Sequence, residues 1–402
     1  MSRSGALVAG AATFALVAAA CALAWRDASP LVPTSGGTVE GSAPLFLALL
    51  IAAFAAYLTA LAWIRRWGLS LVAAVLVTVA IQLVPLGTPL LLSTDAWTYW
   101  SYGWIAARGG GNPYVDAPQD VRGNPALPHM GAAWLDTTSV YGPAFTLVSE
   151  PVALAAGSSA DAAAWAYKSL AAVAVVAAAL LAGRVSRRRS LAVAFVGWNP
   201  VLAVHLAGGG HNDALLGALL MAALALSASR RLQAAGAMWA LAVLVKWVPL
   251  LFLGLRAVEA RATGRPTAHR GFAITFAVVL GLGTWRYGLH WVEAAVPLAG
   301  NAALETSYAI PHRLEQLGAP HAVAVALAVA AFVGGVVWLV GEARRGRARL
   351  GLAACLVLVT TPYLAVWYLG WAVPLAGADD DDVAKAAVLA LTAYLLPQTI
   401  PL

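Results

Sequence analysis

Charge is scarce in this chain. Asp, Glu, Lys and Arg together make up 11% of its 402 residues, and hydrophobic residues make up 61%. A soluble domain carries about 25% charged residues, so the deficit excludes an ordinary soluble fold. Cysteine is nearly missing. Cys21 and Cys355 both sit inside apolar runs, which gives neither a disulfide framework nor a metal-ligand spacing. No GxxxxGK[ST] stretch occurs, which removes the usual reason to propose ATP use. There is no HExxH, no Cys/His cluster and no local signature of a serine nucleophile. The sequence therefore requires no cofactor, gives no metal site, and is silent on a divalent cation. No soluble domain, low-complexity tail or clean internal repeat stands out, so 1–402 reads as a single integral membrane domain.

What the chain does have is apolar runs near the ~20 residues needed to cross a bilayer. Candidate spans are 6–25, 44–64, 69–88, 162–183, 191–210, 214–229, 271–288, 321–341 and 384–400. The first follows Arg3 and ends near Ala20-Cys21, a pattern shared with signal peptides; a first spanning helix fits the rest of the chain better. Two further regions, 232–255 and 350–378, are apolar but interrupted, at Lys246-Trp247-Val248-Pro249 and at Thr361-Pro362-Tyr363. Proline removes a backbone donor and clashes with the preceding turn, so each reads as a broken or re-entrant pair. The fold class is an all-α polytopic membrane protein with about 10 to 12 transmembrane or re-entrant helices.

The formal net charge of +7 is a matter of topology rather than of nucleic acid. Sixteen of the 25 basic residues fall in five clusters: Arg65-Arg66, Arg184 to Arg189, Arg230-Arg231, 256–270 and Arg344 to Arg349. Cytoplasmic loops are enriched in Lys and Arg. All five clusters can face the cytoplasm only if 232–255 returns to the side it left. With that orientation, the loops 89–161 and 289–320 are extracytoplasmic and carry short interfacial helices, 142–158 among them. The acidic run Asp379–Asp382 becomes a solvated inner turn.

The residues that can carry chemistry then gather on the outer side. Asp95 begins the stretch Asp95-Ala-Trp-Thr-Tyr99-Trp-Ser-Tyr-Gly103. It is either a helix cap before an aromatic belt, or a general base with an aromatic wall around it. In Gly208-Gly209-Gly210-His211-Asn212-Asp213, a turn explains the glycines and one cap, but not three consecutive polar side chains. Lys246, deep in an apolar run, points to a cavity, a partner or a phosphate. The second outer loop offers His290, Glu293, Glu305, Tyr308, His312, Arg313 and Glu315, and Arg286 stands just before it. An Arg beside a His suits a departing phosphate.

Taken in order, these pieces resemble the GT-C glycosyltransferases, and most of all the actinobacterial polyprenol-phosphate-mannose-dependent mannosyltransferases of the α-1,6 branch. The set runs from the Asp95 stretch through Gly111-Asn112-Pro113-Tyr114, Tyr141-Gly142-Pro143-Ala-Phe145 and Gly210-His211-Asn212-Asp213-Ala214-Leu215. It continues to Lys246-Trp-Val-Pro249 and Pro362-Tyr363…Trp367-Tyr368, covering about residues 93 to 370. The resemblance implies a multi-pass plasma-membrane enzyme with its active site on the extracytoplasmic face. It implies a polyprenyl-phosphate-sugar donor, a glycolipid or glycan acceptor of the cell envelope, and inversion at the sugar carbon. It places the general base at Asp95. Tyr99, Tyr141, His211, Asn212 and Asp213 are then expected around the sugar, and Lys246, His312 and Arg313 around the phosphate. Two other classes stay in view. A lipid-linked sugar transporter or flippase would place ionisable groups near mid-bilayer and show two related halves. An assembly partner would tolerate loss of Asp95 and Lys246.

Overall fold

A computed structural model describes residues 2–33, 42–267, 269–294 and 306–399. Every regular element among them is helical. Five helices are long and apolar enough to cross a membrane: Ser4–Trp25, Ser42–Trp67, Ala160–Val185, His269–Ala294 and His321–Arg344. Local sequence sets their ends. Ser70 and Ser159 open the helices Leu71–Leu83 and Ala160–Val185 by accepting from Ala73 N and Ala162 N, and Pro249 opens Pro249–Ala262 from its first turn. The chain is an all-α polytopic membrane protein.

Between the long helices lie shorter apolar ones, and their arrangement positions the site. The helices Leu232–Val245 and Pro249–Ala262 have 14 residues each, about 21 Å at 1.5 Å per residue. Leu232 at the start of the first and Ala260 near the end of the second line the same cavity. The pair therefore returns to where it began, with Lys246 at its apex. The helices Leu350–Thr360 and Leu369–Ala378 do the same: Leu350 and Ala378 line that cavity too, and 361–368 forms the apex. A third return climbs from Arg189, turns at His211-Asn212, and descends through Asp213–Ala228 to the cavity wall.

The feet of these returns share one end of the molecule with the arginine clusters. Arg65 pairs with Asp382, Arg187 with Asp380, Arg349 with Asp381, and Arg345 and Arg347 with Glu342. The run Asp379–Asp382 is thus more than a solvated turn. Its carboxylates knit together helices far apart in sequence, and Asp381 also caps Asp382–Leu395.

Three expected spans differ in detail. The run 191–210 is not one helix: Arg189–Gly197 ends before Asn199, and the chain restarts at Pro200. A residue before proline is driven out of the α region, and Asn199 Oδ1 accepts from Val201 N at 3.0 Å as a fresh cap. The new segment contains a π-helical stretch, Leu202–Ala207. The run 69–88 is α-helical only over Leu71–Leu83, and 384–400 only over Asp382–Leu395; each tightens into a 3₁₀ turn at a proline, Pro85 and Pro397. The 142–158 segment is the helix Pro143–Ala156, which tolerates Pro151 in its interior.

Candidate active site

Asp95 is the first residue of the helix Asp95–Ala107, but its carboxylate does not cap it. Ser93 Oγ accepts from the Asp95 amide at 3.2 Å, and Thr94 Oγ1 accepts from Gly131 N at 3.1 Å. The carboxylate turns inward. Oδ2 accepts from Tyr99 Oη at 3.2 Å, one helical turn on, and lies 3.2 Å from His211 Nδ1. The His211 contact has the distance of an ion pair without the alignment of a hydrogen bond. Burial opposes the charge on Asp95; His211, then Lys246 and Tyr99, outweigh it and hold the carboxyl below the usual carboxylate range.

The Gly208–Gly210 turn brings His211 there. Gly210 adopts φ +69°, and its Cα packs against Ala96 and Tyr167, where a side chain would be strained. Leu91 N donates to Gly208 O at 3.0 Å, so the segment leading to Asp95 is tied to the same turn. His211 is buried and stacks on Trp367 from the 361–368 apex, with ring centroids 4.2 Å apart and planes 13° apart. Asp213 is fully buried. Its Oδ2 accepts from Lys246 Nζ at 2.7 Å and its Oδ1 from Trp371 Nε1 at 3.1 Å. One turn thus faces both ways, toward Asp95 through His211 and toward Lys246 through Asp213.

Asn212, between them, is 2% exposed and neither side-chain atom has a protein partner among the described residues. A buried amide without partners costs free energy, so an orphaned one beside the catalytic candidates suits a ligand with hydroxyls.

Aromatic rings close the cluster. Tyr99 meets Tyr141, Phe145 and Tyr167 edge to face at 5.1, 4.9 and 5.4 Å. Lys246 Nζ sits 5.9 Å from the Tyr141 ring and 5.5 Å from the Tyr368 ring. Tyr141 reaches Lys246 because Gly142 follows it: Gly142 N donates to Val245 O at 3.1 Å, and a Cβ there would lie 2.0 Å from Leu244 O. Burial first, then the charge of Asp95, pushes the Tyr141 phenol well above its ordinary range; Tyr99 shifts the same way, by burial first. Both remain neutral donors.

Of the eight residues expected around the sugar and the phosphate, six gather in one cluster with Asp95: Tyr99, Tyr141, His211, Asn212, Asp213 and Lys246. His312 and Arg313 stand apart. They lie on Ile310–Gln316, where His312 pairs with Glu315 and Arg313 covers the Tyr308 ring at 4.4 Å. That segment is fastened to the 361–368 apex, since Thr306 Oγ1 donates to Leu364 O at 3.0 Å and accepts from Leu364 N at 3.0 Å. Arg286 ties Glu150 to the carbonyl of Ala106, and His290 pairs with Glu293. Glu305 falls outside the described residues. Among the described residues, no three of His, Cys, Asp and Glu cluster as metal ligands.

Lys168 escaped the sequence reading. It is 1% exposed and donates to Thr88 O at 2.5 Å and Pro89 O at 3.0 Å, pinning the segment that leads to Asp95. The signal was available, because a lysine inside 162–183 raises the same question as Lys246. Trp371 lies in an apolar run, where nothing marks it as a partner for Asp213.

A family model described as alpha-(1->6)-mannopyranosyltransferase, N-terminal domain, matches residues 6–261. Alpha-(1->6)-mannopyranosyltransferase A of Corynebacterium glutamicum is 25% identical over 248 residues, covering 55% of this chain and 50% of that protein. The Mycobacterium tuberculosis protein of the same name is 29% identical over 248 residues, covering 56% of this chain and 46% of its own length. The chain spans about half the length of these curated relatives. No solved structure matches it.

Proposed function

This chain belongs to the alpha-(1->6)-mannopyranosyltransferase family, and from that premise we propose that it is a membrane glycosyltransferase. It moves a mannosyl residue from a polyprenyl-phosphate donor to a glycolipid or glycan acceptor of the cell envelope, with inversion. The observation that carries the reading is the Asp95 carboxylate: buried, free of capping duty, held charged by His211 and Tyr99, and a short way from Lys246. In the proposed step, Asp95 takes the proton of the acceptor hydroxyl as its oxygen attacks the sugar C1. The bond from C1 to the phosphate oxygen breaks, and its electron pair leaves with the phosphate. Lys246, released from Asp213, meets that charge. Asn212 and His211 hold sugar hydroxyls, and the tyrosine wall excludes water. His312 and Arg313 act at the phosphate only if the donor extends along the 361–368 apex toward Ile310–Gln316.

The proposed setting is the plasma membrane, with Asp95 on the extracytoplasmic side. The arginine clusters at the opposite end support that orientation. Two measurements test the reading. Asp95→Asn is expected to lower transfer from polyprenyl-phosphate-mannose in membranes by about 10²- to 10⁴-fold at unchanged protein level, the usual worth of a general base; wild-type activity in that variant removes the assignment. A tag inserted after Thr263 is expected to report a cytoplasmic position, and an outside position overturns the orientation.

A further inference from the structure

Opposite the Asp95 site, at the feet of the three returns, lies a cavity of roughly 1070 Å³. Its walls are mixed. Leu224, Leu232, Leu350 and Leu375 form an apolar side, and five arginines reach it: Arg230, Arg256, Arg265, Arg347 and Arg349. Three of these already hold a carboxylate, Arg256 with Glu259, Arg347 with Glu342 and Arg349 with Asp381. Arg230 and Arg265 hold none among the described residues. The acids facing them are also largely committed, since Asp380, Asp381 and Asp382 pair with Arg187, Arg349 and Arg65. Burial first, then the negative charge of Asp381, raises the carboxyl of the fourth, Asp379. The cavity thus joins an apolar wall to two uncompensated guanidinium groups, which form bidentate bonds to phosphate oxygens.

We propose that this cavity binds an anionic phospholipid, with its phosphate on Arg230 and Arg265 and an acyl chain against Leu224, Leu232, Leu350 and Leu375. The volume exceeds that of a phosphate ion many times over, which favours an amphiphile over a free anion. Basic clusters beside apolar helices attract anionic leaflet lipids, each Arg contributing about fivefold in affinity. This site is independent of the Asp95 chemistry.

The test uses the whole purified chain in detergent, stripped of lipid. Its thermal midpoint is followed while phosphatidylglycerol, phosphatidylcholine or inorganic phosphate is added. Phosphatidylglycerol is expected to raise the midpoint saturably, with the other two giving little. Arg230→Gln with Arg265→Gln is expected to weaken the apparent affinity about 30-fold, each single change about fivefold, and Arg66→Gln, outside the cavity, not at all. Equal stabilisation of the wild type by phosphatidylcholine, or by phosphate alone, overturns the proposal without recourse to any variant. So does unchanged phosphatidylglycerol affinity in the folded double variant.

Discussion

The two ends of this molecule use charge in opposite ways. At the arginine end many ion pairs lie in or near solvent; Arg65 and Asp382, for example, are 55% and 60% exposed. In the cluster around Asp95 the charges are few and largely enclosed: Asp213 is wholly buried under Lys246, and the Asp95 carboxylate lies against the buried His211 ring. Exposed pairs contribute about 0–1 kcal/mol each, whereas breaking a buried pair by removing one partner costs about 3–5 kcal/mol. In the proposed orientation the arginine end marks the cytoplasmic side through the number of its charges. The Asp95 end depends on the placement of each one. Sequence counting detects the first kind of information readily and the second only where a polar residue interrupts an apolar run.

The largest break in that contrast is at Asp213 and Lys246. Lys246→Met leaves Asp213 buried with only Trp371 as a donor, and Asp213→Asn leaves the ammonium without its partner. Each single variant is expected to lose about 3–5 kcal/mol of stability. The double variant Lys246→Met with Asp213→Leu removes both charges and is expected to recover most of that loss. Chemical unfolding in detergent measures it. Additive losses in the double variant would show that the pair does not behave as a buried one.

A smaller and more pointed effect concerns acidity. Asp95 lies below its ordinary range because His211, Lys246 and Tyr99 outweigh its burial. A group with a depressed folded pKa stabilises the fold above its unfolded value, about 3.9 for Asp, and that stability is lost as pH falls through the folded value. Activity that requires the carboxylate follows the same limb. His211→Phe keeps a ring for Trp367 to stack on and removes the imidazole, so the acid limb of kcat/KM is expected to move to higher pH. A limb that stays in place in His211→Phe, with Trp367 stacking retained, rules out His211 as a cause of the Asp95 shift.

What could be read from the sequence follows the same division. Asp95, His211–Asp213 and Lys246 were legible because polar side chains in apolar surroundings demand a reason. The two interrupted runs were legible because Pro249 and Pro362 forbid a continuous helix. The break at Asn199-Pro200 carried the same signal, yet the run reads as apolar throughout and passes for one span. Trp367 and Trp371 were not legible as partners of His211 and Asp213, since a tryptophan in an apolar helix looks the same whether it meets lipid or a buried acid. The position of Ile310–Gln316 was hidden for a different reason. It depends on Thr306 pairing with Leu364, a contact across 58 residues that no local pattern encodes.

The smallest expected effect tests the other half of the contrast. Arg65 donates to both oxygens of Asp382, the best geometry that a surface pair can have. Both groups are nevertheless more than half exposed, so solvent screens them in either state. Arg65→Gln is therefore expected to change stability by less than about 1 kcal/mol and to leave transfer activity unchanged, measured beside the Lys246 and Asp213 variants in one detergent. A loss comparable with theirs would mean that the Asp379–Asp382 node holds the feet of the returns as firmly as the buried pair holds their apices, and the two ends would then differ in exposure but not in energetic weight.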